Sequence, residues 1–359
     1  MNELLIEKFL EELVKAGGSD LHISSNLPPV MRLDGELVRH GEVPLTSEDV
    51  ENLLFPMLSN EQRRTLEQTW ELDFSYGVQN LCRFRVNIYK DKGNYAAAFR
   101  TINSVAPTLK ALGMPESVRK IAEKPRGLVL VTGPTGSGKS TTLAAIIDHI
   151  NTTRAEHILT IEDPIEFVHT SKKSIIHQRE LGLDTRSFAN ALKSALREDP
   201  DIILVGEMRD HETISLALTA AETGHLVFGT LHTSSAAQTI DRIIDVFPEG
   251  QQQQIRIQLA SSLVAVFSQT LMAKKQLEGT KRGRVMAQEI LLVTPAVSNL
   301  IREAKTAQIY STIQMNQGIG MQTLEMSLSN LYKDNSITLE DALSRSSRPE
   351  ELSRLIKGQ

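Results

Sequence analysis

The sequence lacks the residues that build disulfide frameworks, cysteine-rich metal sites and membrane spans. Its single cysteine, Cys82, allows no intramolecular disulfide and excludes a zinc site built from several cysteines. No run of about 18 apolar residues occurs, and the N-terminal segment carries acidic residues from Glu3 onward instead of the basic and then apolar layout of a signal peptide. We therefore expect a soluble, cytoplasmic protein that associates with a membrane only peripherally or through a partner.

The sequence also lacks an excess of positive charge. It carries 39 lysine and arginine residues against 44 aspartate and glutamate residues, a formal net charge of −5, and no long basic run. Proteins that bind nucleic acid through its phosphate backbone usually carry a basic stripe or an overall positive charge. We therefore expect no nucleic-acid partner.

Residues 1–102 predict a small α+β domain. An N-terminal amphipathic helix is followed by short strands and by a helical stretch over residues 47–68. Polar and apolar residues then alternate on both sides of Lys92-Gly93, which predicts two strands joined by a turn. The proline-containing segment 103–118 is interpreted as a linker.

Residues 119–359 have a different pattern, in which short apolar runs alternate with helices. Near-continuous apolar runs are typical of parallel strands that are covered on both faces of a sheet. We expect the part after about residue 284 to be mostly helical. The predicted strands are GLVLVTG, HILTIED, DIILVGE and HLVFGTL.

A phosphate-binding loop follows the first of these runs. The segment matches GxxxxGK[ST] and comprises Gly133, Pro134, Thr135, Gly136, Ser137, Gly138, Lys139, Ser140 and Thr141. Glycines let backbone N–H groups turn towards phosphate oxygens, and the helix N-terminus adds positive potential. Lys139 is expected to contact the β- and γ-phosphates and Ser140 to bind Mg²⁺ through its hydroxyl. The alternative is an ordinary glycine-rich turn between a strand and a helix.

Acidic residues follow two other predicted strands. Glu162 and Glu207 end HILTIE and DIILVGE, and the carboxyl ends of parallel strands meet at one edge of a sheet. We therefore expect both to face Mg²⁺ and the attacking water. Gly206 occupies the position where a common Walker B strand has aspartate. Local capping or ion pairing is the alternative for the neighbouring acids, Asp163, Glu166 and Asp210.

Two histidines enclose the strand predicted in GHLVFGTLHT. Their seven-residue separation is roughly 23 Å in an extended strand, too far for one zinc ion to bind both imidazoles. His232 leaves the carboxyl end of the strand, where we expect it to sense the γ-phosphate. His225 enters at the opposite end, where a subunit or domain contact and simple capping of the sheet edge both remain open.

Together these motifs resemble the secretion ATPase superfamily of type II secretion and type IV pili. Its Walker A loop, aspartate box, degenerate Walker B and histidine box match GPTGSGKST, ILTIEDPIE, LREDPDIILVGEMRD and GHLVFGTLHTSSAAQTIDRIIDVFP in that order. The segments SDLHI and CRFRVN resemble the family's small N-terminal domain. The resemblance implies a RecA-like P-loop ATPase domain with a mostly parallel sheet, preceded by a PAS-like α+β domain.

Within the superfamily the chain is most similar to the pilus retraction ATPases. The small domain begins almost at once, the tetracysteine insert of assembly ATPases is absent, and Ala296–Glu303 resembles the retraction signature AIRNLIRE. Two positions of that signature differ, Val297 and Ser298. Its intact part comprises the expected coupling residues Asn299, Leu300, Ile301, Arg302 and Glu303.

The resemblance implies a ring hexamer that hydrolyses ATP with Mg²⁺ between subunits, using Glu207, Glu162 and His232. It also implies peripheral attachment to the inner membrane through a pilus platform protein, and through it an indirect action on pilin. Arginines are expected to stabilise the transition state, with surface ion pairs as the alternative for Arg100 and Arg242. The other candidates are Arg83, Arg85, Arg197 and Arg209.

Other functions remain open from the sequence alone. The same motifs fit an accessory retraction ATPase, or an assembly or secretion ATPase that runs the same chemistry in the opposite mechanical sense. A nucleic-acid-dependent RecA-type translocase fits the P-loop but not the acidic balance of charge. A nucleotide-gated scaffold without turnover is the remaining alternative.

Overall fold

The protein is described by a computed structural model that covers residues 5–79, 81–102, 105–275 and 283–358. Internal packing divides the chain into two compact units, Met1–Val105 with Pro164–Val168 and Ala106–Asp163 with His169–Gln359. The linker predicted over 103–118 includes Asn103 and Ser104, which lie outside the described residues.

The N-terminal unit is built on an antiparallel sheet. Its described strands are β1 Asp20–Ser24, β2 Val30–Leu33, β3 Glu36–Arg39, β4 Glu71–Val78, β5 Cys82–Asp91 and β6 Asn94–Ile102. They lie in the order β3-β2-β1-β6-β5-β4, and each neighbouring pair is antiparallel. Its helical segments are α1 Ile6–Lys15, α2 Ser47–Leu54, the 3-10 turn Phe55–Met57 and α3 Asn60–Thr69.

Two local predictions for this unit are confirmed. The helical stretch over 47–68 consists of α2 and α3, separated by a 3-10 turn at Pro56, whose ring and missing N–H do not fit a helix interior. The turn between β5 and β6 is formed by Lys92 and Gly93, with φ angles of 51° and 85°. Two successive positive φ angles are typical of the tight turn that matches the twist of a hairpin.

The C-terminal unit is built on a mostly parallel sheet. Its described strands are β7 Gly127–Thr132, β8 His157–Glu162, β9 Ile175–Glu180, β10 Ile202–Val205, β11 Leu226–Leu231, β12 Leu263–Ala273 and β13 Arg284–Leu292. They lie in the order β13-β12-β7-β11-β10-β8-β9. Among the described strands of this sheet, β12 pairs with β13 in an antiparallel ladder, and all other neighbouring strands pair in parallel. The predicted α/β fold is confirmed.

Helices surround this sheet. They are α4 Glu116–Ala122, α5 Lys139–Thr153, α6 Phe188–Ala195, α7 His211–Glu222, α8 Ala236–Asp245, α9 Glu249–Ser262, α10 Pro295–Arg302, α11 Ile309–Met315, α12 Leu324–Lys333, α13 Leu339–Arg345 and α14 Pro349–Lys357, with 3-10 turns at Thr306–Gln308 and Gln317–Ile319. None of the helices in the described ranges combines the length and hydrophobicity that spanning a lipid bilayer requires.

The four predicted apolar runs form the central strands β7, β8, β10 and β11. All residues of β7 and β11 are buried because helices cover both faces of the sheet. Val129 and Val131 belong to the core cluster that contains the apolar side chains of α5, whereas Leu128 and Leu130 pack in the cluster of α7, α8 and α9. This two-sided burial explains why these strands carry no alternation of polar and apolar residues.

The expectation of mostly helical structure after residue 284 is wrong for its first nine residues, which form β13. The apolar residues Val285, Met286, Ala287, Ile290 and Leu291 fit a helical period as well as a strand. Pairing decides between them, since β13 forms a continuous antiparallel ladder with β12. Helices follow from Pro295 onward, as predicted.

Candidate functional site

The phosphate loop joins the end of β7 to the start of α5. Gly133 has a φ of 144°, and a Cβ atom there would lie 2.2 Å from the carbonyl oxygen of Gln269. Gly138 has a φ of 89° and precedes α5 without any side-chain cap. Only glycine tolerates these positive φ angles together with the close approach of Gln269. The N–H groups of the first turn of α5 have no intrahelical partner.

A lysine ammonium lies over this loop. Lys139 Nζ donates hydrogen bonds to the carbonyl oxygens of Gly133 at 2.8 Å and Pro134 at 3.2 Å. Burial lowers the pKa of Lys139, and the negative charge of Glu207 opposes this shift. The loop, the helix N-terminus and the ammonium therefore form a site suited to an anion such as a nucleotide phosphate.

Glu207 and His232 meet at the same edge of the sheet. Glu207 follows β10, and His232 follows the neighbouring strand β11. The Nε2 atom of His232 lies 3.1 Å from Oε1 of Glu207, whose side chain is 20% exposed. Arg209 forms an ion pair with the same carboxylate, which raises the pKa of its guanidinium. The parallel strand order thus brings together three of the predicted site residues.

Glu162 ends β8, the next strand along the sheet. Its carboxylate accepts hydrogen bonds from Thr160 Oγ1 at 2.7 Å and from Gln178 Nε2 at 3.2 Å. A Cβ atom on Gly206 would lie 3.0 Å from the Ile161 carbonyl oxygen and 3.1 Å from the Glu162 Cα atom. This crowding gives a physical reason for glycine at the position where a common Walker B strand carries aspartate.

His225 precedes β11 and therefore lies at the opposite end of this strand from His232. Its Nδ1 atom lies 2.9 Å from the carbonyl oxygen of Ala220 in the last turn of α7. The imidazole thus contacts the last turn of α7, and the subunit or domain contact and the capping of the sheet edge both stay predictions for His225. Among the described residues no three or more histidine, cysteine, aspartate or glutamate side chains are grouped to hold a metal ion.

The remaining acids and arginines occupy separate places. Asp210 accepts hydrogen bonds from the backbone N–H and hydroxyl of Thr213 at 2.8 Å, which confirms local capping of α7.

Arg100 pairs with Asp20, as the ion-pair alternative predicted. In the N-terminal unit Arg83 is half-buried on β5, and Arg85 on the same strand pairs with Asp73 at 2.6 Å. Arg197 is exposed just beyond α6, Arg242 is exposed on α8, and Asp163 acts electrostatically on Arg209.

The segment resembling the retraction signature forms α10. Ile301 and Val297 are buried in the core of the unit, so the valine keeps an apolar contact at a core position. Leu300 packs against the same core. Asn299, Arg302 and Glu303 are exposed, which leaves these polar groups accessible.

A cavity of about 430 Å³ adjoins the loop within the C-terminal unit. Its lining includes Ser137 and Thr141 from the loop and first helical turn, and Leu271, Arg284 and Met286 from the β12–β13 pair. The cavity combines apolar side chains with two cationic groups, Lys274 and Arg284, beside the phosphate loop.

The sequence analysis did not identify a chain of hydroxyl groups that connects β7, the strand before the phosphate loop, to the residues that follow His232. Thr233, next to His232, lies 2.7 Å from Thr239 of α8 through their hydroxyl oxygens. Thr239 lies 3.5 Å from Thr132, which precedes Gly133 and contacts Ser268 at 2.8 Å. The buried threonine in the run GLVLVT was the signal available in the sequence.

Glu289 is a second group that the sequence analysis missed. This buried residue of β13 accepts a hydrogen bond of 2.7 Å from the backbone N–H of Ala236, at the start of α8. Desolvation raises the pKa of Glu289 to about 7; the Ala236 bond opposes the shift, nearby Glu325 adds to it and Arg348 opposes it. Its protonation is therefore coupled to folding near neutral pH.

We expect this coupling to appear in the pH dependence of stability. The unfolded carboxyl ionises near 4.5 and the folded one near 7, so the free energy of unfolding declines as pH rises between these values and then levels off. The decline attributable to Glu289 is about 3 kcal/mol. Urea unfolding of the parent and Glu289→Gln between pH 4.5 and 8 measures it, because glutamine keeps the acceptor for Ala236 but does not titrate. Exposed Glu340→Gln is the control, and parallel profiles for the parent and Glu289→Gln would contradict the expectation.

A glycine-rich strand–loop–helix cradle, with carboxylates at the carboxyl ends of two other parallel strands, β8 and β10, defines the class of P-loop nucleotide-binding α/β proteins. The chain belongs to the type II/IV secretion system protein family, whose model matches residues 1–341.

Characterised relatives match nearly the whole chain. It is 54% identical over 345 residues to the type IV pilus retraction ATPase PilT of Pseudomonas aeruginosa, covering 96% of this chain and 99% of that protein. It is 55% identical over 325 residues to a twitching motility protein of Neisseria gonorrhoeae, covering 90% and 86% of the two chains. A crystal structure of the pilus retraction motor PilT with bound ADP is similar at a TM-score of 0.90 and 50% identity, covering 98% of this chain and 100% of that one.

Proposed function

We propose that this protein is a Mg²⁺-dependent ATPase that powers type IV pilus retraction as a homo-hexamer. The observation that carries the proposal is the grouping of the Lys139 loop with the Glu207–His232 pair at one edge of the sheet. The similarity to retraction ATPases over nearly the full length supports the direction of the mechanical work.

The residues of the site divide the chemistry of ATP hydrolysis among them. The loop N–H groups and Lys139 bind the β- and γ-phosphates and stabilise charge on the transferred phosphoryl group. Glu207 orients and polarises the attacking water, and Glu162 supports it from the adjacent strand. His232 holds the Glu207 carboxylate and contacts the γ-phosphate. When this phosphate is lost, His232 loses a contact, and the resulting change in its position is transmitted to the Thr233–Thr239 segment that follows it.

Magnesium fits the donor set around this loop. Ser140 is exposed in the first turn of α5, and the nearby acids are carboxylates, so the available ligands are the oxygens that Mg²⁺ prefers. The Ser140 hydroxyl would bind the ion, with Glu207 and Glu162 ordering its water shell. Bound Mg²⁺ would neutralise charge on the phosphates.

The assembly supplies the remaining parts of the proposed motor. Arg83 and Arg85 of the N-terminal unit, or Arg197 and Arg209, are the candidates for transition-state stabilisation within the ring. An arginine supplied in this way contributes roughly 10³–10⁵ in rate in other nucleotide hydrolases. The exposed side chains of α10 are candidates for coupling to an inner-membrane platform protein, and through it to pilin.

We expect His232→Ala to lower ATP turnover roughly 10- to 100-fold, because a hydrogen bond to a charged group contributes about 1.5–3 kcal/mol. Steady-state phosphate release by the purified protein measures this. His225→Ala is the matched control, since it removes the imidazole at the other end of the same strand. Equal turnover in His232→Ala and the parent would remove the sensor role.

A deletion strain tests the mechanical direction of the proposal. Loss of a retraction motor should leave abundant pili that do not shorten and cells that do not twitch. Reintroduction of the intact gene should restore pilus shortening and twitching. Loss of pili would instead indicate an assembly ATPase. Strong stimulation of purified ATPase by DNA at moderate salt would favour the nucleic-acid translocase.

A further inference from the structure

Gln269 contacts the phosphate loop from a strand outside the nucleotide motifs. It lies on β12 beside β7, and it is only 3% exposed. Its side-chain Nε2 donates to the carbonyl oxygen of Ser137 at 2.8 Å, and its Oε1 accepts from the hydroxyl of Thr142 at 3.0 Å. A single amide therefore connects the loop to α5.

The bond to Ser137 determines where a loop N–H points. The carbonyl of Ser137 and the N–H of Gly138 belong to one planar trans peptide unit, in which these two groups point in opposite directions. Because the carbonyl is directed at Gln269, the N–H of Gly138 is directed away from β12. A phosphate loop needs its N–H groups turned towards the anion and its carbonyl groups turned away from it.

The same residue limits both ends of the loop. The backbone carbonyl oxygen of Gln269 lies 2.2 Å from the position of a Cβ atom on Gly133, and its Nε2 lies 3.4 Å from the corresponding position on Gly138. Gln269 thus packs against the first glycine, bonds to the middle of the loop and lies beside the last glycine. An amide side chain presents the required donor and acceptor on two separate atoms without a charge.

We infer that Gln269 is a positioning residue for phosphate binding, which holds the Ser137–Gly138 peptide in the orientation that the nucleotide requires. The inference rests on the proposed ATPase function. It makes nucleotide affinity depend on a buried side chain contributed by β12, about 130 positions after the loop.

Measurement of ADP affinity by calorimetry, with KM and kcat for ATP, tests this inference. Gln269→Leu leaves the Ser137 carbonyl unpaired and should weaken ADP binding roughly 5- to 100-fold. KM should rise by a similar factor, with a smaller change in kcat. Gln269→Glu keeps the acceptor for Thr142 but loses the donor to Ser137 and adds negative charge, so its affinity should fall at least as far.

Gln288→Leu is the matched control. Gln288 is the register partner of Gln269 on β13, is 5% exposed, and directs its amide at the sulfur atoms of Met114 and Met286. It should bind ADP within twofold of the parent while losing a comparable amount of thermal stability. Parental affinity in Gln269→Leu or Gln269→Glu, or an equal loss in Gln288→Leu, would overturn the positioning role. Failure of the parent itself to bind ADP would instead overturn the proposed ATPase function.

Discussion

Replacement of Lys139 by alanine is expected to abolish ATP turnover and to weaken nucleotide binding together. The ammonium is the cationic group that lies directly over the loop carbonyls of Gly133 and Pro134. Alanine removes a charge that both the bound phosphates and the transition state require, and loss of one such preorganised group costs roughly 10²–10³ in rate. The loss of affinity for the phosphates adds to this effect at limiting ATP.

Steady-state phosphate release and calorimetric titration with ADP measure the two effects in one preparation. Lys193→Ala removes an exposed lysine from the last turn of α6 and provides the control for charge and folding. Retention of parental ATP turnover by Lys139→Ala would contradict the assignment of this loop as the phosphate site.

Replacement of Glu207 by glutamine is expected to separate binding from hydrolysis. Glutamine keeps the shape of the side chain and an oxygen beside His232, but it loses the negative charge that polarises water. We expect turnover to fall roughly 10²- to 10⁴-fold, the usual contribution of a positioned general base. ATP affinity should remain near that of the parent, because the phosphate ligands are unchanged.

Rapid filtration with radiolabelled ATP distinguishes this variant from Lys139→Ala, since only Glu207→Gln should retain unhydrolysed ATP. Glu212→Gln, an exposed change in the first turn of α7, controls for the loss of one negative charge. Parental turnover in Glu207→Gln would contradict the role of this carboxylate in polarising water, whereas a parent that binds ATP without turnover would favour the nucleotide-gated scaffold.

Lys139 and Glu207 also differ in how much of their surroundings the sequence motifs predict and how much depends on tertiary packing. Lys139 belongs to a contiguous motif whose strand, loop and helix are adjacent in the chain, so local spacing was enough to predict its place. Glu207 was predicted from the end of an apolar run, but its contact with His232 depends on β10 and β11 being neighbours in the sheet.

The amino-acid sequence by itself determined the local elements of this protein: the glycine loop, the four buried strands of the sheet centre and the turn at Lys92-Gly93. These follow from backbone geometry and from the burial of consecutive side chains, which act over a few residues. Tertiary structure alone decided that residues 284–292 form a strand, and that Gln269 and Glu289 contact the loop and the start of α8. The hydrogen-bond partners of Gln269 and Glu289 lie 53 to 132 positions away, and only the order of strands in the sheet brings such distant hydrogen-bonding groups together.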